Sequence, residues 1–342
     1  MQSAPRRLPV LPVTVFLVFL LVVCLIAGAL VGEPLPATEV AKAVLHPALP
    51  FVPPADEITT GIVQELRLPR LLMAALVGAM LAVAGASLQS ILGNPLADPY
   101  IIGVSSGAAV GAGLALLLGV AALWGGLAQS GMAFIAALLA LALVFALSRV
   151  GGRLQTGAFL LAGVVAGSLL WSLTTLLLSL AGQEQRSLLL FLMGRFTEAT
   201  WSGVLLLAPV TVLGIAYCTV SARSLDAFAF GEEVARSVGV EVERFKGIIL
   251  TLSALLTAAA VSTSGIIGFV GLVVPHLGRA LVGPPHRGLI PVVALLGAIL
   301  TLLADLLART IRPGEELPVG IVTALLGAPF FLTLLRRLAG ER

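Results

Sequence analysis

From Leu8 to Gly32 the chain carries no charged side chain, and from Leu68 onward similar apolar runs follow one another to the C-terminal end. A helix needs roughly 20 such residues to cross ~30 Å of hydrocarbon, and in lipid only a helix or a closed barrel can satisfy the backbone. Ala27 to Ala29 imitate a signal-peptide cleavage site after Arg6 and Arg7, but a signal core is only about 7–15 residues long, so this run reads as a first span. Cutting the rest at charged or Pro/Gly-rich breaks predicts further spans over 69–91, 103–123, 127–148, 157–181, 202–221, 247–264, 268–283, 288–308 and 318–335. Ten spans put both termini on one side.

The basic residues test that arrangement. Of 20 Lys and Arg, thirteen fall in segments on the N-terminal side: Arg6, Arg7, Arg149, Arg153, Arg223, Arg236, Arg244, Lys246, Arg279, Arg287, Arg336, Arg337 and Arg342. Positive charge concentrates on the cytoplasmic side of membrane proteins, so both termini are expected in the cytoplasm. The chain is 59% hydrophobic and 11% charged, with mean hydropathy +1.10, which excludes a soluble domain. A net charge of +3 gives nucleic acid no reason to bind. Cys24 and Cys218 both sit inside apolar runs and read as small buried hydrophobes.

Two spans carry signs of irregularity. The stretch 265–283 is interrupted by Gly268, Gly271, Pro275 and Gly278, which predicts a short or kinked helix packed inside the protein. Residues 182–201 surround an apolar core with Arg186, Arg195 and Glu198 and read as an interfacial or re-entrant helix on the outer side. The proline-rich stretch 33–66 reads as an outer segment with short surface helices. Small-xxx-small pairs such as Gly78–Ala82 and Gly107–Gly111 are read as close helix packing.

Catalytic and metal signatures do not appear. There is no G-x-x-x-x-G-K-[ST], nucleophile elbow or H-E-x-x-H, and His46, His276 and His286 lie too far apart in sequence for metal spacing. No catalytic residue, metal site or cofactor is therefore expected. Intramembrane carboxylates would mark an ion-coupled transporter, but the candidates are few. Asp98 stands at a span junction beside Pro95 and Pro99, and Asp305 is four residues before Arg309 and placed to pair with it. By contrast, Ser221 to Lys246 gathers nine charged residues between two apolar runs. Within it, GEEVARSVGV predicts a short helix: Glu232 and Glu233 suit its N-terminus, Val234 and Val238 share a face, and Gly239 suits its end. A polar knob without a P-loop suggests energy supplied by a partner.

Several stretches together resemble one family, the FecCD-type permease subunits of ABC importers for vitamin B12, haem and ferric siderophores. They are residues 67–112, LLAGV at 160–164, GEEVARSVGV at 231–240, SGIIGFVGLVVPHLGR at 264–279, and 304–337. The resemblance implies an all-α membrane protein, a single permease domain over 1–342 with about ten spans. It further implies a homodimer around a central pathway in the inner (cytoplasmic) membrane, two copies of a separate ATPase inside, and a substrate-binding protein outside. By the same resemblance, Gly231, Glu232, Glu233, Val234, Arg236, Val238 and Gly239 form the ATPase-coupling helix of the 221–246 segment, with the valines anchoring it and the charged residues at its rim. Asn94, Pro95 and Leu96 resemble a cytoplasmic gate, with Gln155, Thr156 and Gly157 a second; Gly157 departs from the family in offering no side chain. Arg67, Arg70 and Arg309 match arginines that receive acidic residues of the binding protein. The competing class is an ion-coupled secondary transporter or channel, in which 221–246 merely connects two spans.

Overall fold

A computed structural model describes residues 8–32, 35–49, 51–120, 126–150, 153–311 and 315–340. Arg6, Arg7 and Arg342, counted above for orientation, lie outside them. The described chain is helical apart from a two-residue hairpin, Arg149–Val150 against Arg153–Leu154. The helices are α1 (Val10–Leu30), α2 (Ala37–Leu45), α3 (Glu57–Gly61), α4 (Leu68–Ile91), α5 (Val104–Leu117), α6 (Gly126–Ser148), α7 (Thr156–Leu180), α8 (Gln185–Leu192) and α9 (Trp201–Val220). They continue with α10 (Ala222–Ala229), α11 (Glu232–Ser237), α12 (Val242–Ser264), α13 (Val270–Val282), α14 (His286–Thr310) and α15 (Val319–Gly340).

Among the described residues seven helical stretches are long and apolar enough to cross a membrane: α1, α3 through α4, α6, α7, α9, α12 and α14. The other three expected spans are shorter apolar helices, α5, α13 and the 319–333 part of α15. Residues 121–123, the end of the span expected at 103–123, lie outside the described residues.

Helix α4 is the axis of the bundle. A helix apolar on every side belongs in an interior, and every side chain from Val77 to Ile91 is buried. Close approach is what permits this. A Cβ at Gly78 would overlap the Gly297 carbonyl and Thr301 of α14, and one at Gly85 would overlap the Gly271 carbonyl of α13. Gly107 and Gly111 likewise seat α5 on Ala136, Ala137 and Met132 of α6, so the small-residue pairs do pack helices. By contrast α1 and α7 present wide apolar faces to the outside, with Phe16, Phe19, Leu161 and Leu169 exposed.

The start of α4 differs from expectation. The span expected over 69–91 starts the helix at Pro69, but the helix begins at Glu57, where the Asp56 side chain accepts the Thr59 N–H at 2.8 Å. A π turn over Ile62–Arg67 then leads into α4, with Leu68 N–H bonded back to the Val63 carbonyl. Proline cannot donate to the ladder, and the widened turn lets its ring pass without ending the helix. Arg67 and Arg70 therefore lie within a continuous helix.

The irregular segments satisfy one another, as lipid-depth backbone must. Arg195 N–H donates to the Ser264 carbonyl at 2.7 Å, Val319 N–H to Gly194 at 2.9 Å and Gly320 N–H to Met193 at 3.1 Å. Phe269, with φ 68°, turns the chain into α13. Its ring and Cβ lie where a side chain at Gly327 of α15 would be.

Candidate functional site

The helices run between two ends, and each end gathers polar residues. At one end α10 is fixed by Ala222, Leu225 and Phe228, all buried. Ser90 Oγ of α4 donates to the Leu225 carbonyl at 2.6 Å, and the Phe228 ring lies 5.5 Å from that of Phe245. Asp226 Oδ1 accepts the first N–H of α14, from His286, at 2.9 Å, and lies 2.6 Å from His286 Nδ1. Such a carboxylate satisfies a donor that the helix itself leaves open.

Helix α11 stands next to it. Gly231 (φ 110°) turns into it, and at the far end Gly239 (φ 87°) allows Val240 N–H to reach the Ala235 carbonyl at 3.0 Å and Gly239 N–H to reach Arg236 at 3.1 Å. This double closure needs a left-handed residue, which is why a glycine stands there. Ala235 is the one fully buried residue of α11; Glu233, Val234, Arg236 and Val238 face outward. Val238 is 64% exposed, an apolar side chain at the tip of a polar projection.

Glu232 is bound to the bundle while 37% of its side chain stays exposed. It turns inward, and its Oε1 lies 2.6 Å from Lys246 Nζ. The same ammonium donates to the Leu154 carbonyl at 3.0 Å, and the Thr156 hydroxyl donates to Glu232 Oε1 at 3.4 Å. A buried ammonium has to find acceptors, and the carboxylate opening α11 is one. Thr156, read as part of a gate, thus touches the projection. Lys246 was not singled out in the sequence, although one of only two lysines (with Lys42) placed at the head of an apolar run was a usable signal.

The turn after α4 is held separately. Asn94 Oδ1 accepts the Leu96 N–H at 2.9 Å, and Leu96 is exposed. Gln89 donates to the Ala97 carbonyl at 3.2 Å and accepts from Arg279 at 2.7 Å. Asp98 caps the following turn, accepting the Tyr100 N–H at 2.8 Å. The Tyr100 hydroxyl donates to the Ile267 carbonyl at 2.9 Å and accepts its N–H at 3.1 Å. Among the described residues no hydrogen bond joins Asn94 or Leu96 to Thr156, so the two expected gates stand on separate elements.

At the opposite end the three arginines expected to face a partner's carboxylates turn inward. Asp305, fully buried, accepts from Arg70 Nε at 3.0 Å and Nη2 at 2.8 Å and lies 3.2 Å from Arg309 Nε. Arg70 also donates to Glu316, at 2.8 and 2.9 Å. Arg67 donates to the Ala29 carbonyl at 2.6 Å, and Arg309 to Val31 and Gly28 at 3.3 and 3.5 Å. The guanidiniums satisfy the end of α1 and one buried carboxylate. Their side chains are correspondingly covered, Arg70 being 11% exposed and Arg309 7%. The i, i+4 pairing of Asp305 with Arg309 was legible; the reach of Arg70 to Asp305 was not.

Between the ends, a groove of ≈ 460 Å³ runs past Leu192, Met193, Ile266, Gly268, Ile321 and Leu325. It is apolar and formed by the irregular segments. Near Arg70 a second cavity of ≈ 310 Å³ is bordered by Arg186, Arg195, Glu315 and Glu316, with Arg195 paired to Glu198. Among the described residues no three His, Cys, Asp or Glu side chains gather to hold a metal ion.

The sequence pattern of the FecCD transport family matches residues 17–337. A cobalamin import system permease of Halobacterium salinarum is 44% identical over 89% of this chain and 80% of its own. A hemin transport system permease of Yersinia pestis is 42% identical over 81% of this chain and 84% of its own. Among solved structures, an inward-facing conformation of a metal-chelate type ABC transporter superposes with a TM-score of 0.83 at 32% identity, covering 95% of this chain and 99% of that one.

Proposed function

The chain belongs to the FecCD transport family, and from that premise we propose that it is the membrane-spanning subunit of a binding-protein-dependent ABC importer. Its cargo is a bulky chelate: a corrinoid, haem or an iron chelate. Two copies enclose a central pathway in the cytoplasmic membrane. Ten spans leave both termini inside, two copies of a separate ATPase dock at the α10–α11 end, and a substrate-binding protein docks at the Arg70 end. The apolar groove past α8 and α15 fits the lining of that pathway, which needs no charge to pass a large chelate. The turns at Asn94–Leu96 and Thr156 are its inner gates.

The observation that carries this reading is α11. It is a short helix bracketed by glycines, with Val234 and Val238 exposed four residues apart and with Glu233 and Arg236 beside them. That is the composition of a small docking knob: apolar anchors inside a polar rim. Among the described residues the two carboxylates singled out for an ion-coupled alternative are engaged otherwise, Asp305 by two arginines and Asp98 in capping a turn.

The arginine cluster takes a different part from the one its resemblance implies. Arg67, Arg70 and Arg309 brace α1, α4 and α14 beneath the docking face, and Arg186 and Glu316 offer the exposed charge above them. Reversing Arg186 to Glu is expected to change the salt dependence and rate of binding-protein association more than its final affinity, as rim charges do. Stopped-flow association at two ionic strengths checks this.

Val238→Asp tests the coupling end. The residue is exposed, so the fold is expected to persist while capture of the ATPase falls by about tenfold or more, the loss that goes with ~1.4 kcal/mol. Co-purification of the tagged chain with its ATPase reads the outcome. Undiminished capture, with uptake of cyanocobalamin, haemin or ferric citrate also undiminished, contradicts the docking role.

A further inference from the structure

Lys246 is buried, with 1% of its side chain exposed, and three remote pieces of chain meet at its ammonium. Glu232, at 2.6 Å, opens α11; the Leu154 carbonyl, at 3.0 Å, ends the hairpin that precedes α7; Lys246 itself stands in the second turn of α12. Two more bonds close the group. Thr156, the first residue of α7, donates to the same Glu232 oxygen at 3.4 Å, and Leu154 N–H donates to Glu243 Oε2 of α12 at 3.2 Å.

The two short helices are hydrogen-bonded to different parts of the bundle, while the Phe228 ring of α10 also packs on Phe245 of α12. Helix α10 is bonded to α4 through Ser90 and to α14 through Asp226 and His286. Helix α11 is bonded to the start of α7 and to α12. The ammonium end of the pair is buried while the Glu232 carboxylate stays partly open to solvent, and the stem of a buried lysine has few rotamers left to absorb a displacement.

We propose that Lys246 is a positioning residue that passes movement of α11 to the first turn of α7, so that Thr156 moves with the docking helix. This rests on the reading of α11 as the ATPase contact. It assigns to α11 a path of its own, distinct from the one through α10 to α4. Removing the ammonium is then expected to leave docking intact and to uncouple it from α7.

The test begins with the chain alone in nanodiscs, with Cys24 and Cys218 changed to Ser and nitroxides placed on Val238→Cys and Gln155→Cys. With the labelled chain diluted in unlabelled chain, pulsed electron–electron resonance is expected to give one narrow distance distribution within a protomer, which Lys246→Met broadens. A second pair, on Arg223→Cys and Arg287→Cys across the α10–α14 contact, stays unchanged. In proteoliposomes with the captured ATPase and binding protein, Lys246→Met is expected to retain ATPase capture and ATP hydrolysis. Uptake of cyanocobalamin, haemin or ferric citrate per ATP falls about tenfold, inside the ~5–150-fold span usual for coupling between sites. Should Lys246→Met not fold, Glu232→Gln and Thr156→Val interrupt the same group and carry the same expectation. Unchanged distances across 238–155, or an uptake loss matched by an equal loss of ATPase capture, overturns the proposal. If the wild type takes up none of the three probes, the importer reading fails, and the distance measurement still decides the link.

Discussion

Gly85→Val is expected to prevent stable folding. At Gly85 α4 meets the Gly271 carbonyl of α13 with no room for a Cβ, the tightest such site among the described glycines. Gly271 is itself wedged against Pro99 and the Leu81 carbonyl, so neither backbone can retreat without moving the turn after α4. Overpacking a core with one or two methylenes costs typically ~1–3 kcal/mol, and a backbone collision that the neighbours cannot relieve belongs to the range above ~4 kcal/mol. The yield of monodisperse protein in detergent and its melting temperature report the effect. A control separates collision from the mere loss of glycine: a Cβ at Gly247 of α12 meets nothing within 4 Å. Gly247→Ala is expected to keep or raise stability by roughly 0.5–1 kcal/mol, since glycine is the poorer helix former. If both variants melt alike, packing against α13 is not what fixes α4.

Asp305→Asn is expected to be the most damaging change that preserves shape. The carboxylate is fully buried between Arg70 and Arg309, and amide substitution removes the charge that the two guanidiniums share. Removing one partner of a buried pair costs about 3–5 kcal/mol, chiefly through the charge left unpaired. Arg70 keeps Glu316, so part of its loss is offset; Arg309 keeps only distant carbonyls. Adding Arg70→Gln to Asp305→Asn should then cost less than the sum of the two single changes, with a coupling energy in the ~0.5–3 kcal/mol range of residues in contact. Thermal melts of the four proteins of the cycle provide the number. Additive losses would mean that the two side chains stand close without holding the helices together.

Much of the architecture could be read from the chain because bilayer thickness makes span length a local property. The short helix within 265–283 and the glycine-bounded helix at 232–237 were legible for the same reason, since glycine and proline act on their own neighbours. What escaped was decided by partners far away in sequence. Arg70 and Asp305 are separated by 235 positions, and nothing near either one indicates that the guanidinium turns inward instead of toward solvent. Glu232 was read as a rim residue because a first-turn glutamate normally faces water; Lys246, brought beside it by α12, also ties it to the bundle. The continuous helix from Glu57 through Ile91 was hidden by Pro69, a local signal overridden by a π turn.

On the proposed function, this chain conducts nothing by itself and moves cargo when α11 is driven by a separate ATPase. The direct measurement is uptake of cyanocobalamin, haemin and ferric citrate into proteoliposomes containing the chain alone, the chain with its ATPase and binding protein, and the same complex with ATP withheld. Uptake of one of the three only in the complete system with ATP is the predicted result. Uptake by the chain alone, unaffected by ATP or by the ATPase, and driven instead by an imposed proton or sodium gradient, would contradict the account.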